Sequence, residues 1–116
     1  MAMAIQDVRD ILLKLGIPVY HLRAPEERAD KYLHWGETSI GCLISADNQH
    51  KVERVRGQIY YYTSEEYDPL FNVLCKELNE SEIEFAVTDV GYDSVQRQIA
   101  YIISWEINCN AGEVYR

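Results

Sequence analysis

An α+β fold is what the sequence predicts: an antiparallel or mixed β-sheet of four to five strands with two α-helices packed on one face. Two apolar stripes recur at helical spacing, at Ile5, Val8, Ile11, Leu12 and Leu15 and again at Leu70, Phe71, Leu74 and Leu78. Strand-like alternation fills the chain between and after them, and the last two alternating segments stand close enough to form a hairpin. The 116 residues leave room for one domain, and 47% apolar with 26% charged residues is the composition of a chain that folds.

The first stripe lines one side of a helix. Gly16 ends it, because glycine accepts the left-handed backbone that follows a helix and Pro18 cannot be drawn back into one. Residues 17–22 are β-branched and aromatic, a short strand closed by Ala24 and Pro25, and residues 24–30 are a polar connector. Residues 31–35 form a second strand with Tyr32 and His34 on one face and Leu33 and Trp35 on the other. Gly36, Gly41, Ser45, Asp47 and Asn48 then surround the apolar fragment Cys42, Leu43 and Ile44, which predicts a long loop or a projecting hairpin over residues 36–50. Alternation resumes at Val52 and Val55 and passes through Gly57 into a strand over 59–63.

Asp68 and Pro69 open the second helix, since Asp can accept a bond from the first free amides and Pro suits a turn where its missing N–H costs nothing. Asn79, Glu80 and Ser81 break it. Ile83, Phe85 and Val87 then alternate with Glu82, Glu84, Ala86 and Thr88, residues 91–94 turn the chain, and Ile99, Tyr101, Ile103, Trp105 and Ile107 mark the clearest strand. Residues 110–116 are polar and expected to fray. The expected core joins Val8, Ile11, Leu12, Leu15, Leu70, Leu74 and Leu78 to the sheet through Phe85, Ile103 and Trp105.

Composition narrows the function. Eleven Lys and Arg stand against 19 Asp and Glu, a net charge of −8, and the basic residues are scattered, which argues against a phosphate-binding face. The longest apolar runs, residues 99–103 among them, are five residues, against the ~20 that span a bilayer. Residues 1–4 show no basic segment ahead of an apolar core, so no secretory signal is expected and the chain reads as made in the cytoplasm. Cys42, Cys75 and Cys109 contain no CxxC pair, and His21, His34 and His50 match no local metal motif, so neither metal nor cofactor is expected. Neighbouring carboxylates such as Glu65 and Glu66, or Asp89 and Asp93, are explained by the helix dipole and by turn chemistry. With no nucleophile beside a base, the chain is not read as an enzyme. The nine tyrosines fit an interaction surface or simple strand preference.

In succession, the segments resemble the tail terminator and tail-completion (minor tail) proteins of long-tailed bacteriophages and prophages. The likeness runs through the amphipathic helix leading to GIPVYH at 16–21, YLHWGE at 32–37, ADN at 46–48, QIYYYTSEEYDPLFNVLCKEL at 58–78 and IEFAVTDVGYDSVQRQIAYIISWEI at 83–107, nearly the whole chain. It implies a small subunit that closes into a ring, usually of six copies, on the head-proximal end of the tail tube. There it would stop tube growth and join the tube to the head connector. The implied partners are further copies of the chain, the tail tube protein and the head connector protein, in the virion at the head–tail junction. DNA would pass through the ring unbound, a passage that a net charge of −8 suits.

No catalytic residues come with that family, and only regions carry over: residues 36–56 and the turn between the last two strands. Within the first, Cys42, Leu43 and Ile44 form an apolar patch costly to leave wet, while Asp47, His50, Lys51, Glu53, Arg54 and Arg56 would orient a partner. Two rivals share some of these features. A head-completion or neck component would have the same ring geometry on the portal side, and a non-viral acidic adaptor or small enzyme would show a deep pocket with convergent polar groups.

Overall fold

α1 (Ile5–Leu13) buries Ile5, Val8, Ile11 and Leu12 along one side, and its first turn is tied by the Asp7 carboxylate, which accepts the Ala4 N–H at 2.8 Å. Lys14 caps it and Gly16 follows at φ +73°, so the helix stops two residues short of Leu15, which is nonetheless buried. The chain then forms β1 (Val19–His21), β2 (Lys31–Ile44), β3 (Lys51–Thr63), α2 (Pro69–Asn79), β4 (Glu84–Asp93) and β5 (Gln98–Asn110). The structure is a computed structural model and describes residues 2–44 and 51–116, with side chains at 2–41 and 52–116.

The strands make one mixed sheet in the order β1-β2-β3-β5-β4. β1 lies parallel to β2, and every other neighbouring pair is antiparallel. α2 carries the chain from β3 to β4, and β5 returns between those two strands. Alternation puts Leu33, Trp35, Val55, Ile59, Tyr61, Ile103, Trp105 and Ile107 on the face that both helices cover, where they form one core with Val8, Leu12, Leu74 and Leu78. Leu70 and Phe85, expected at the centre, are half-buried at its margin. The Trp105 indole lies across β3 at Gly57, where a Cβ would collide with that ring and with the Gly36 carbonyl, so only glycine fits there.

One open choice is decided and two expectations are corrected. Residues 36–44 are not a loop but the outer half of β2, paired with β3 from Gly36↔Gln58 to Ile44↔Lys51; this is the hairpin alternative, and a bulge at Thr38 absorbs one residue. The second turn sits later than residues 91–94. β4 continues to Asp93, whose carboxylate accepts the N–H groups of Val95 and Gln96 and so places the reversal over 94–97, with Arg97 at φ +58°. The tail does not fray: Val114 is buried and its carbonyl accepts the Ile5 N–H at 2.8 Å, while the Arg116 guanidinium pairs with Asp7 and Asp10.

Asp68 fastens three elements at once. Its Oδ1 accepts the Leu70 N–H at 2.9 Å, which caps α2, and meets the Lys31 ammonium of β2 at 3.2 Å. Its Oδ2 accepts the hydroxyls of Tyr61 at 2.5 Å and Thr63 at 2.7 Å, both on β3. Burial pushes the carboxyl pKa up, but Tyr61, Thr63, the Leu70 amide and Lys31 together outweigh it and hold the group well below the usual range. Burial first, and the Asp68 carboxylate second, push the Tyr61 hydroxyl well above its ordinary value.

Replacing Leu12 or Leu74 with Ala is expected to cost about 2–5 kcal/mol, as for other fully buried leucines, measured by denaturant unfolding. Asp68→Ala should cost ~2–4 kcal/mol near neutral pH through the lost cap and the stranded Tyr61 hydroxyl. A carboxyl whose folded pKa is depressed stabilises above its unfolded value and loses that contribution as pH falls. The gap between wild type and Asp68→Ala should therefore narrow below about pH 4, which unfolding curves across a pH series would show.

Candidate protein interface

Among the described residues, no helix or further strand lies on the face of the sheet opposite the helices. At the end nearest the 94–97 turn this face presents an aromatic ladder. Tyr20 meets Tyr32 edge-on at 5.9 Å between ring centroids, Tyr32 stacks on Tyr62 at 4.7 Å, Tyr62 lies over Tyr60 at 6.3 Å, and His34 approaches Tyr60 at 6.0 Å. Tyr32 is shut off from water by the Arg28 guanidinium over its ring and by Gln96, which accepts its hydroxyl. The other members are half-buried.

Toward the hairpin the same face becomes polar and charged. Glu106 of β5 takes the Arg56 guanidinium at 2.9 Å and that of Arg54 at 3.4 Å, and Arg54 also donates to Asn108. The hydrogen bond from Arg56, aided by Arg54, holds the Glu106 carboxyl below its ordinary value. Two guanidiniums share one carboxylate, and Glu84 stands directly across from Glu106 on β4, so this stretch mixes both signs of charge. Between it and β4 lies a shallow depression of about 440 Å³ bordered by Gln58, Glu84, Ala86 and Ser104.

The residues expected at an interface are distributed as follows. Cys42, Leu43 and Ile44 lie on β2 opposite Glu53, Val52 and Lys51, and the side chains of these three and of Lys51 are outside the described residues, as are Asp47 and His50 altogether. Arg54 and Arg56 share the helix-free face. Glu53 falls on the helix side, because neighbours along a strand point to opposite faces, and there its carboxylate faces the Gly112 N–H at 3.5 Å.

Two features were not anticipated. Val87, Val90 and Tyr92 of β4 stand 41%, 55% and 66% exposed on the helix side of an edge strand that α2 does not reach across. Val90 and Tyr92 were hidden in a segment whose Gly91 reads as a turn. A signal was available: residues 77–96 hold six carboxylates and no Lys, Arg or His. At the opposite edge, Glu37 accepts the Tyr115 hydroxyl at 2.6 Å and lies 2.6 Å from His21 Nε2, with the His21 ring over Trp35 at 4.4 Å. Burial raises the Glu37 pKa, but the bonds from Tyr115, its own backbone and His21 outweigh that and lower it.

No family model and no curated protein matches this chain. Among the described residues, no group of three or more His, Cys, Asp or Glu side chains is placed to hold a metal ion, and no helix is long and apolar enough to cross a membrane.

The adjacent tyrosines of β3 test the two-faced sheet directly. Tyr61→Ala, on the core side, should cost about 3–5 kcal/mol, whereas Tyr60→Ala, on the open face, should cost ~1 kcal/mol or less, both read from urea unfolding.

Proposed function

We propose that this chain is a ring-forming structural subunit of a phage or prophage tail, the terminator that caps the tail tube and joins it to the head connector. One observation supports this reading above the others: the β2–β3 hairpin. Its strands stay paired past the bulge at Thr38 out to Ile44 and Lys51, in a molecule that measures 51 × 27 × 23 Å. A lone monomer gains little from a sheet half stripped of cover, whereas a subunit needs an arm, two open edges and a bare face to meet its neighbours. The acidic surface agrees with a channel that lets DNA slide, and the core, the cap at Asp68 and the docked tail agree with a rigid part rather than a catalyst.

The experiment is to inactivate the gene in its phage or prophage and image the particles by negative-stain electron microscopy. Tubes of uncontrolled length without heads are expected, restored to normal length by the protein supplied in trans. Tails of normal length beside unjoined heads would instead assign the subunit to the neck, and normal virions would overturn the structural reading altogether.

A further inference from the structure

The open edges of the sheet differ in a way that suits one to the other. On the outer side of β2, β1 pairs only with Leu33 to Trp35, so among the described residues no strand pairs with that edge from Glu37 onward. On the outer side of β4 no described strand pairs at all. Along β2 the helix-side residue is Ile40, 48% exposed, and the residues on the helix-free face are Ser39 and Gly41, directly opposite Arg56 and Arg54. Within one copy both guanidiniums turn toward β5, onto Glu106 and Asn108, and Ser39 and Gly41 are too small to block their swing to the opposite edge. Along β4 the helix-side residues are the exposed Val87 and Val90, and the helix-free face carries Glu84 and Asp89.

Resting on the ring reading above, we propose that the outer half of β2 in one copy docks edge to edge against β4 of the next copy, continuing the sheet from subunit to subunit. In that arrangement apolar meets apolar on one face, Ile40 against Val87 and Val90. On the other, Arg54 and Arg56 exchange Glu106 of their own copy for Glu84 and Asp89 of the neighbour, reaching across Ser39 and Gly41. Main-chain groups along both edges gain partners, and the charges set direction and register. The contact is heterologous, so it propagates around a ring instead of stopping at a pair. A bulge in each edge, at Thr38 and Thr88, interrupts regular pairing and so disfavours indiscriminate strand addition.

The test uses two charge-reversed proteins, Arg54→Glu with Arg56→Glu, and Glu84→Arg with Asp89→Arg, each checked for native circular dichroism. Association is followed by sedimentation equilibrium up to about 1 mM, the weak end of specific binding. The wild type should self-associate. Each reversed protein alone sets like charges against each other and should associate about tenfold more weakly or worse, while an equimolar mixture restores both complementary contacts and should recover the wild-type affinity. Amide exchange at residues 39–41 and 84–92 should slow on association. Wild type that stays monomeric throughout, or reversed proteins that associate as well alone as when mixed, would overturn the docking. Rings or normal tails built from either reversed protein alone would overturn it too, yet leave the tail-terminator reading intact, since tail length after gene inactivation decides that separately.

Discussion

A strand advances about 3.3 Å per residue and a helix about 1.5 Å. Helices of nine and eleven residues therefore lie over a small part of strands that are thirteen and fourteen residues long. Everything distinctive in this molecule follows from that mismatch. Where α1 and α2 lie, side chains such as Leu12, Leu74, Ile59 and Ile103 are sealed from water; where they do not, the same strands continue as an arm and as bare margins. The uncovered parts need other protection, and the chain supplies charge, bulges and aromatic rings closed by Arg28 and Gln96.

The covered half is held by a few demanding contacts. Asp68 unites the start of α2 with β2 and β3, and Gly57 lets Trp105 lie close enough to fill the space under the helices. The indole N–H groups of Trp35 and Trp105 are buried without a hydrogen-bond partner, a cost of roughly 1–3 kcal/mol each that the surrounding packing must offset. Both rings sit in the same layer, 6.2 Å apart, so dense apolar contact around them takes precedence over polar satisfaction.

Much of this was legible in the residues. The helix stripes, the Asp68–Pro69 start and the alternation of 99–107 each reflect a local rule, and each element lies where that rule puts it. The α+β class followed from their order. The errors share another cause. Gly36 and Gly41 look like loop formers, yet within β2 they serve close approach and an uncluttered edge, because cross-strand pairing with β3 outweighs turn preference. Gly91 misled in the same way. The buried tail could not be inferred from its polar composition, since Val114, Tyr115 and Arg116 are held by α1 and Glu37, partners about a hundred residues away or on another strand. Of the proposed interface, the hairpin residues were visible as an apolar fragment among charges, whereas the acidic run over 77–96 marked the β4 segment but only strand order placed it at an edge.

Strand order also bears on how the molecule is made. β5 is the last strand in the chain yet occupies the interior of the sheet, between β3 and β4. During synthesis, then, the β2–β3 pair and β4 must wait without the strand that joins them until residues 98–110 have left the ribosome, and a chain cut short before that point has a gap where its centre belongs. Folding becomes an act of insertion that waits on residues 98–110. Incomplete copies, lacking the strand that aligns the arm with the opposite margin, would be left to proteases and kept out of any assembly in which one defective member spoils the whole.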